Sequence, residues 1–147
     1  AIDWSIIVLL GALIPIGEAL QTSGATVIIS DLLLSATFGM APWAVLVLVM
    51  LVTTVLTNIL NNAATAVVMA PLAVQLATAL EISPDPFLMG VAVSASCAFL
   101  TPIGHQNNAL VMGPGGYRFG DYWRMGLPLT CIALGVALPM ILWVWPI

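Results

Sequence analysis

Leu56-Thr57-Asn58-Ile59-Leu60-Asn61-Asn62-Ala63-Ala64-Thr65-Ala66 sets three asparagines and two threonines inside apolar sequence, with no charged residue between Asp31 and Glu81. Polar amides at membrane depth are costly unless protein, water or a ligand satisfies them. A second stretch, Thr101-Pro102-Ile103-Gly104-His105-Gln106-Asn107-Asn108, is likewise flanked by apolar segments. The two share an echo. Asn61-Asn62-Ala63 precedes Val68-Met69-Ala70-Pro71, and Asn107-Asn108-Ala109 precedes Val111-Met112-Gly113-Pro114. We read the two stretches as facing each other across one binding site for an anion and its coupling cations.

Composition sets the solvent. The chain is 62% hydrophobic and 5% charged, against about 25% charged residues in a soluble domain. It is therefore read as an integral membrane protein. The apolar runs suit helices of about 20 residues and no alternating strand pattern occurs, so an all-α fold is expected rather than a barrel. Two basic residues and a net charge of −4 argue against nucleic-acid binding. Cys97 and Cys131 sit in apolar runs without metal-ligand spacing and are read as small buried hydrophobes. The chain opens without an initiator Met and almost directly in a membrane segment. It is expected to be the second half of a longer protein.

Along the chain, residues 4–20 read as a first span, closed by Glu18 and a Gln-Thr-Ser-Gly break. Residues 25–38 have the pattern of a short interfacial helix. Glu18 and Asp31 are placed at the interface rather than on a proton path. Pro42 is suited to start the next helix. Residues 43–80 hold two apolar arms whose joint has no charge, Pro or Gly. That composition fits a re-entrant hairpin with its tip at membrane depth better than two spans joined in water. Residues 81–86 form an aqueous loop. Residues 87–113 read as one broken helix, continuous to Leu100 and interrupted over 101–107, where Pro102 serves the break. Residues 117–124 form a second aqueous loop, and 126–146 the last span, kinked at Pro139. Arg118 and Arg124 are the only basic residues, so their loop is assigned to the cytoplasm and the acidic 81–86 loop to the outside.

The second hairpin arm and the second half of the broken helix both begin at the polar stretches. A helix N-terminus carries about +0.5 of a charge and free N–H donors. Two of them converging make an anion site without Lys or Arg. Asn61, Asn62, Thr65, Gln106, Asn107 and Asn108 can cap those ends and bind oxygens. The opposite helix ends, near Leu60 and Leu100, offer bare carbonyls. These, with Asn oxygens and Thr hydroxyls, are hard ligands suited to Na⁺. His105, the only histidine, is open to three roles: contacting substrate, sensing pH, or capping a backbone carbonyl.

At these residues the sequence resembles the divalent-anion:sodium symporter family of the ion transporter superfamily, over essentially the whole chain, as the C-terminal half of such a transporter. Members carry Ser-Asn-Thr at the tip of each of two re-entrant hairpins. The matching positions here are Asn61, Asn62 and Ala63, with the central Asn kept. Members also have an unwound Thr-Pro-Pro-Asn-Ala, matched here by His105, Gln106, Asn107, Asn108 and Ala109, with Asn-Ala kept. The run from Thr101 through Gly113-Pro114-Gly115-Gly116-Tyr117-Arg118-Phe119 is similar to a branch of permeases with large cytosolic regulatory domains, some associated with sulfate uptake.

The resemblance implies a substrate set of Asn61, Asn62, Ala63, Thr65, His105, Gln106 and Asn107. It implies a sodium set of Thr57, Asn58, Asn62, Thr101, Gly104 and Asn108. Na⁺ is the coupling ion rather than a prosthetic group. It further implies a scaffold and arm helix over 1–41, a mobile transport domain over 42–147, elevator motion, a homodimer, and an inverted repeat in an absent N-terminal half. The function expected is sodium-coupled uptake of sulfate or a di- or tricarboxylate across the inner or plasma membrane.

Three rivals are weighed. A proton-coupled transporter or sodium/proton antiporter relative would need more intramembrane carboxylates. An intramembrane enzyme needs a nucleophile–base pair or a metal set, and Ser94 and Ser96 have no base nearby in the sequence. A passive assembly subunit of a membrane complex would leave the paired asparagine stretches without a purpose.

Overall fold

The structure, a computed structural model, describes residues 39–147 together with Pro15, Ala19, Thr22, Ser23, Gly24, Ile28, Leu32, Ser35 and Thr37. The readings of 4–20 as a span and 25–38 as an interfacial helix lie, those isolated positions aside, outside the described residues. The rest is helical: α1 Pro42–Thr57, α2 Asn62–Ala79, α3 Asp85–Ala95, α4 Gln106–Met112 and α5 Phe119–Val144. No strand occurs among the described residues. Two helices, α2 and α5, are long and apolar enough to cross a membrane.

Local chemistry explains most of the helix ends. Pro42 stands in the first turn of α1 after an extended Ala41, where its missing N–H costs nothing. Asn61 caps α2, its side chain accepting the Ala64 N–H at 2.6 Å. At the far end of α2, Ile82 N–H bonds Ala77 O at 3.0 Å and Glu81 N–H bonds Thr78 O at 3.1 Å. That is a Schellman closure, and it forces Glu81 to φ 57, a conformation that favours glycine. The start of α5 lies inside the segment expected to be an aqueous loop, because Asp121 accepts the Arg118 N–H at 2.8 Å and closes the first turn.

The broken helix departs from expectation in extent. The helix expected to reach Leu100 ends at Ala95, and the chain stays non-helical to His105. Cys97-Ala98-Phe99-Leu100 is apolar enough to read as helix. Its backbone groups are instead taken by side chains: Leu100 N–H by Asn58 Oδ1 at 2.8 Å and Ala98 O by Asn108 Nδ2 at 2.7 Å.

α1 and α2, joined by residues 58–61, form an antiparallel helical hairpin. α3 is the centre, packing against both arms and against α5. The core holds Val45, Leu46, Val49 and Met50 of α1, Met69, Leu72 and Leu76 of α2, Phe87 and Val91 of α3, and Ile141 of α5. Helices in lipid associate through close packing, so small residues at crossings matter. A Cβ on Gly90 would stand 2.8 Å from Leu46 Cδ1, and one on Gly126 would overlap the Phe99 carbonyl. α5 buries only 11% of its apolar window, and Cys131 lies on its exposed side, unlike the buried Cys97.

Candidate functional site

The end of α1, the start of α2 and the unwound chain after α3 meet at one place. Helix ends leave backbone groups unpaired, and here side chains from elsewhere in the chain meet them. Thr57, fully buried at the last turn of α1, places Oγ1 2.6 Å from Ala95 O and 3.0 Å from Asn62 Oδ1. A hydroxyl has one proton, so it donates to the closer Ala95 O and faces Asn62 Oδ1 lone pair to lone pair. Three neutral oxygens thus converge: a hydroxyl, an amide oxygen, and a carbonyl at the C-terminus of α3. This is a hard-ligand set of the kind that unwound and terminal carbonyls form around alkali cations.

Asn58 works beside it as a splint. Its Nδ2 donates to Thr54 O at 2.7 Å and Cys97 O at 3.4 Å, and its Oδ1 accepts the Leu100 N–H. Its carbonyl accepts the Thr101 hydroxyl at 2.6 Å, and Thr101 Oγ1 accepts the Gly104 N–H at 3.1 Å. Asn108 Nδ2 donates to Ala98 O and to Thr101 O, the latter at 3.0 Å. Gly104 lies flush against α1: a Cβ there would be 2.8 Å from Thr57 O and 3.0 Å from Asn58 Cα. Thr57, Asn58, Asn62, Thr101, Gly104 and Asn108 therefore form one connected network. Within it Thr57 and Asn62 present side-chain oxygens to each other, whereas the Asn58 side chain is fully engaged with backbone.

The residues expected to meet an anion fall into two groups. Asn61, Asn62 and Ala63 open α2, and Thr65 lies one turn on. The Thr65 hydroxyl is fully buried and has no hydrogen-bond partner, although Thr53 and Thr54 on α1 both bond back to the preceding turn. His105, Gln106 and Asn107 open α4. His105 Nδ1 accepts the Asn107 N–H at 3.2 Å, so the ring caps an N–H rather than a carbonyl. Gln106 and Asn107 are exposed. No hydrogen bond joins the Asn61–Ala63 group to the His105–Asn107 group among the described residues.

Three contributors escaped the sequence reading. The Ala95 carbonyl is backbone and leaves no trace in residue type. Tyr122, assigned to an aqueous loop, donates its hydroxyl to Asn108 O at 2.7 Å and ties α5 to the start of α4. Ser94, next to Ala95, has a buried hydroxyl without a partner. The alternation of polar and small residues over Ser94-Ala95-Ser96 was the available signal for an interior polar surface.

Residues 1–147 match the citrate transporter family. The chain is 45% identical over 141 residues to an uncharacterized transporter of Synechocystis, covering 96% of this chain and 23% of that protein. It is 37% identical over 146 residues to an uncharacterized transporter of Escherichia coli, covering 99% of this chain and 24% of that one. It is 35% identical over 101 residues to the sodium-dependent low-affinity dicarboxylate transporter 1 of Caenorhabditis elegans, covering 67% of this chain and 17% of that protein. The chain thus spans about a quarter of the length of the first two of these relatives.

Proposed function

The chain belongs to the citrate transporter family, and from that membership we propose that it is part of a secondary active transporter coupling sodium to the uptake of a divalent anion, sulfate or a di- or tricarboxylate. The carrying observation is the meeting of Thr57 Oγ1, Asn62 Oδ1 and Ala95 O at the junction of three helix ends. These oxygens hold Na⁺. The anion sits beside it at the N-terminus of α2, where Asn61 caps the helix and the Thr65 hydroxyl is unengaged. No basic side chain belongs to the network, so bound sodium supplies the charge that a dianion needs. Binding of the two is therefore coupled. The sodium-dependent dicarboxylate transporter among the relatives supports this assignment.

The length of the first arm, α1, supports a re-entrant hairpin, whereas α2 at 18 residues is long enough to cross. α1 has 16 residues, about 24 Å at 1.5 Å per residue, and a bilayer core is about 30 Å thick. With its start at the interface, α1 ends inside the membrane and the asparagines lie at depth. Residues 42–147 form the moving part in this reading, residues 1–41 belong to the scaffold, and the companion hairpin comes from a further segment of the full-length transporter. Dimerisation through the scaffold, elevator motion and residence in the inner or plasma membrane complete the proposal. A proton-coupled rival fits less well, because the network contains no carboxylate and His105 spends Nδ1 on a cap.

The test is thermal stability of the purified full-length transporter, with sodium against choline and with sulfate, succinate, citrate and phosphate in turn. A ligand at 100 times its dissociation constant stabilises the fold by about 2.7 kcal/mol. Stabilisation by one anion only when sodium is present is expected. Equal melting in sodium and choline with every anion would refute sodium coupling.

A further inference from the structure

Two buried hydroxyls are left over once the network at the helix ends is complete. Thr65 Oγ1 and Ser94 Oγ have no hydrogen-bond partner among the described residues, and both residues are 0% exposed. A serine or threonine inside a helix can bond the carbonyl four residues back, and Thr53, Thr54, Thr78 and Ser96 do so. Thr65 and Ser94 do not. The helix contacts put them at one level. Asn62 meets Thr57 across the hairpin tip, so Thr65, three residues into α2, is level with Thr54, three residues back along α1. A Cβ on Gly90 would meet Leu46 and Met50, and Ala95 O meets Thr57, so α3 runs parallel to α1. Ser94 therefore stands level with Thr53 and Thr54, which are buried too.

We propose that this layer of hydroxyls binds a second sodium ion, one turn inside the ion at Thr57, Asn62 and Ala95 O; the proposal rests on the sodium reading of that triad. Thr53 and Thr54 give their only proton to Val49 O at 2.7 Å and Met50 O at 2.8 Å, so what they present to the layer is lone pairs. Thr65 and Ser94 add theirs. Lone pairs suit a cation and repel an anion. The oxygens are hard and uncharged, as in the triad. No carboxylate lies between Asp31 and Glu81 to favour a divalent ion. One ion cannot serve both places. Helical side chains lean toward the helix N-terminus while carbonyls point toward the C-terminus, so Ser94 Oγ and Ala95 O face opposite ways along α3. Thr57, one turn along α1 from Thr53 and Thr54, borders both positions. The chain itself encloses the layer, and the triad at the tip is its way in.

The test is equilibrium binding of radioactive sodium to the purified full-length transporter, with melting curves in sodium and in choline. Thr65→Val replaces an unpaired buried hydroxyl by a methyl of the same size, so in choline it is expected to melt no lower than wild type. In saturating sodium it is expected to melt below wild type and to bind about one ion fewer per protomer, because the stabilisation that ion gave is lost. Thr65→Ser, which keeps the hydroxyl, is expected to restore the count. Thr57→Val borders both positions and is expected to lose both ions. Sodium binding by wild type with an undiminished count in Thr65→Val overturns the second ion and leaves the first standing. Equal counts in Thr65→Val and Thr57→Val likewise reduce the two positions to one. A fall in melting that is the same in both salts, with no sodium lost, marks a buried water in the layer and also overturns the proposal. Absence of sodium binding by wild type removes the sodium reading itself. Should Thr65→Val not fold, Ser94→Ala is read by the same outcomes.

Discussion

Asn58 and Asn62 are four residues apart and are asked to do different things. The Asn58 amide satisfies the Leu100 N–H in the unwound segment and the Thr54 carbonyl in the last turn of α1. Asn58→Ala leaves buried backbone groups unpaired, at about 1–3 kcal/mol each. The expected outcome is a large drop in melting temperature that is the same in sodium and in choline. Thr57→Val keeps volume and removes one of the three convergent oxygens. It leaves the buried Ala95 carbonyl unpaired, at about 1–3 kcal/mol, and its distinguishing signature is loss of the sodium-dependent rise in melting temperature. Melting curves of the two variants in both salts separate a splint from a ligand. Gly104→Ala is expected to cost about 1–3 kcal/mol through overpacking, because its Cβ would meet the backbone of α1 rather than a flexible side chain. The same curves measure it.

At the scale of elements, most helix ends have an identifiable cause, and one end and one helix crossing invite substitution. Glu81 closes α2 in a left-handed conformation that costs an L-residue about 1–2 kcal/mol. Glycine there gives back about 0.5–1 kcal/mol through the flexibility of its unfolded chain. Glu81→Gly is therefore expected to raise stability by up to about 1.5 kcal/mol, read as a higher melting temperature. Gly126 is the crossing of α5 over residues 99 and 100, where a Cβ would overlap the Phe99 carbonyl. Backbone cannot swing aside as a side chain can. Gly126→Ala is expected to prevent docking of α5, read as loss of a monodisperse peak in size-exclusion chromatography. The unwound segment between α3 and α4 is an element in its own right, held open by Asn58 and Asn108 from either side.

For the whole molecule, the hairpin's depth is the property to measure. Ile59 at the tip is exposed in the isolated chain, 63%, yet a re-entrant tip lies inside the bilayer. Ile59→Cys is expected to resist a bulky impermeant maleimide from both sides, while Ser83→Cys is labelled from outside; labelling of Ile59→Cys by that reagent places the tip in water. Much of this architecture was legible in the residues. The apolar composition, the uncharged joint at 58–62 and the prolines and glycines between segments determined a helical membrane chain with two interior polar stretches. They did so because lipid leaves so few ways to satisfy a backbone. Asn61 as a cap and the helix start at Asn62 followed from local capping rules. What only the tertiary structure decided was where α3 stops, which carbonyl joins Thr57, and which asparagine is splint and which presents its oxygen to Thr57. Cys97-Ala98-Phe99-Leu100 has no letter that breaks a helix. It unwinds because Asn58, about 40 residues earlier in the chain, takes hydrogen bonds that a next helical turn would have used. That competition is set by distance in space, and distance in space is not written in local sequence.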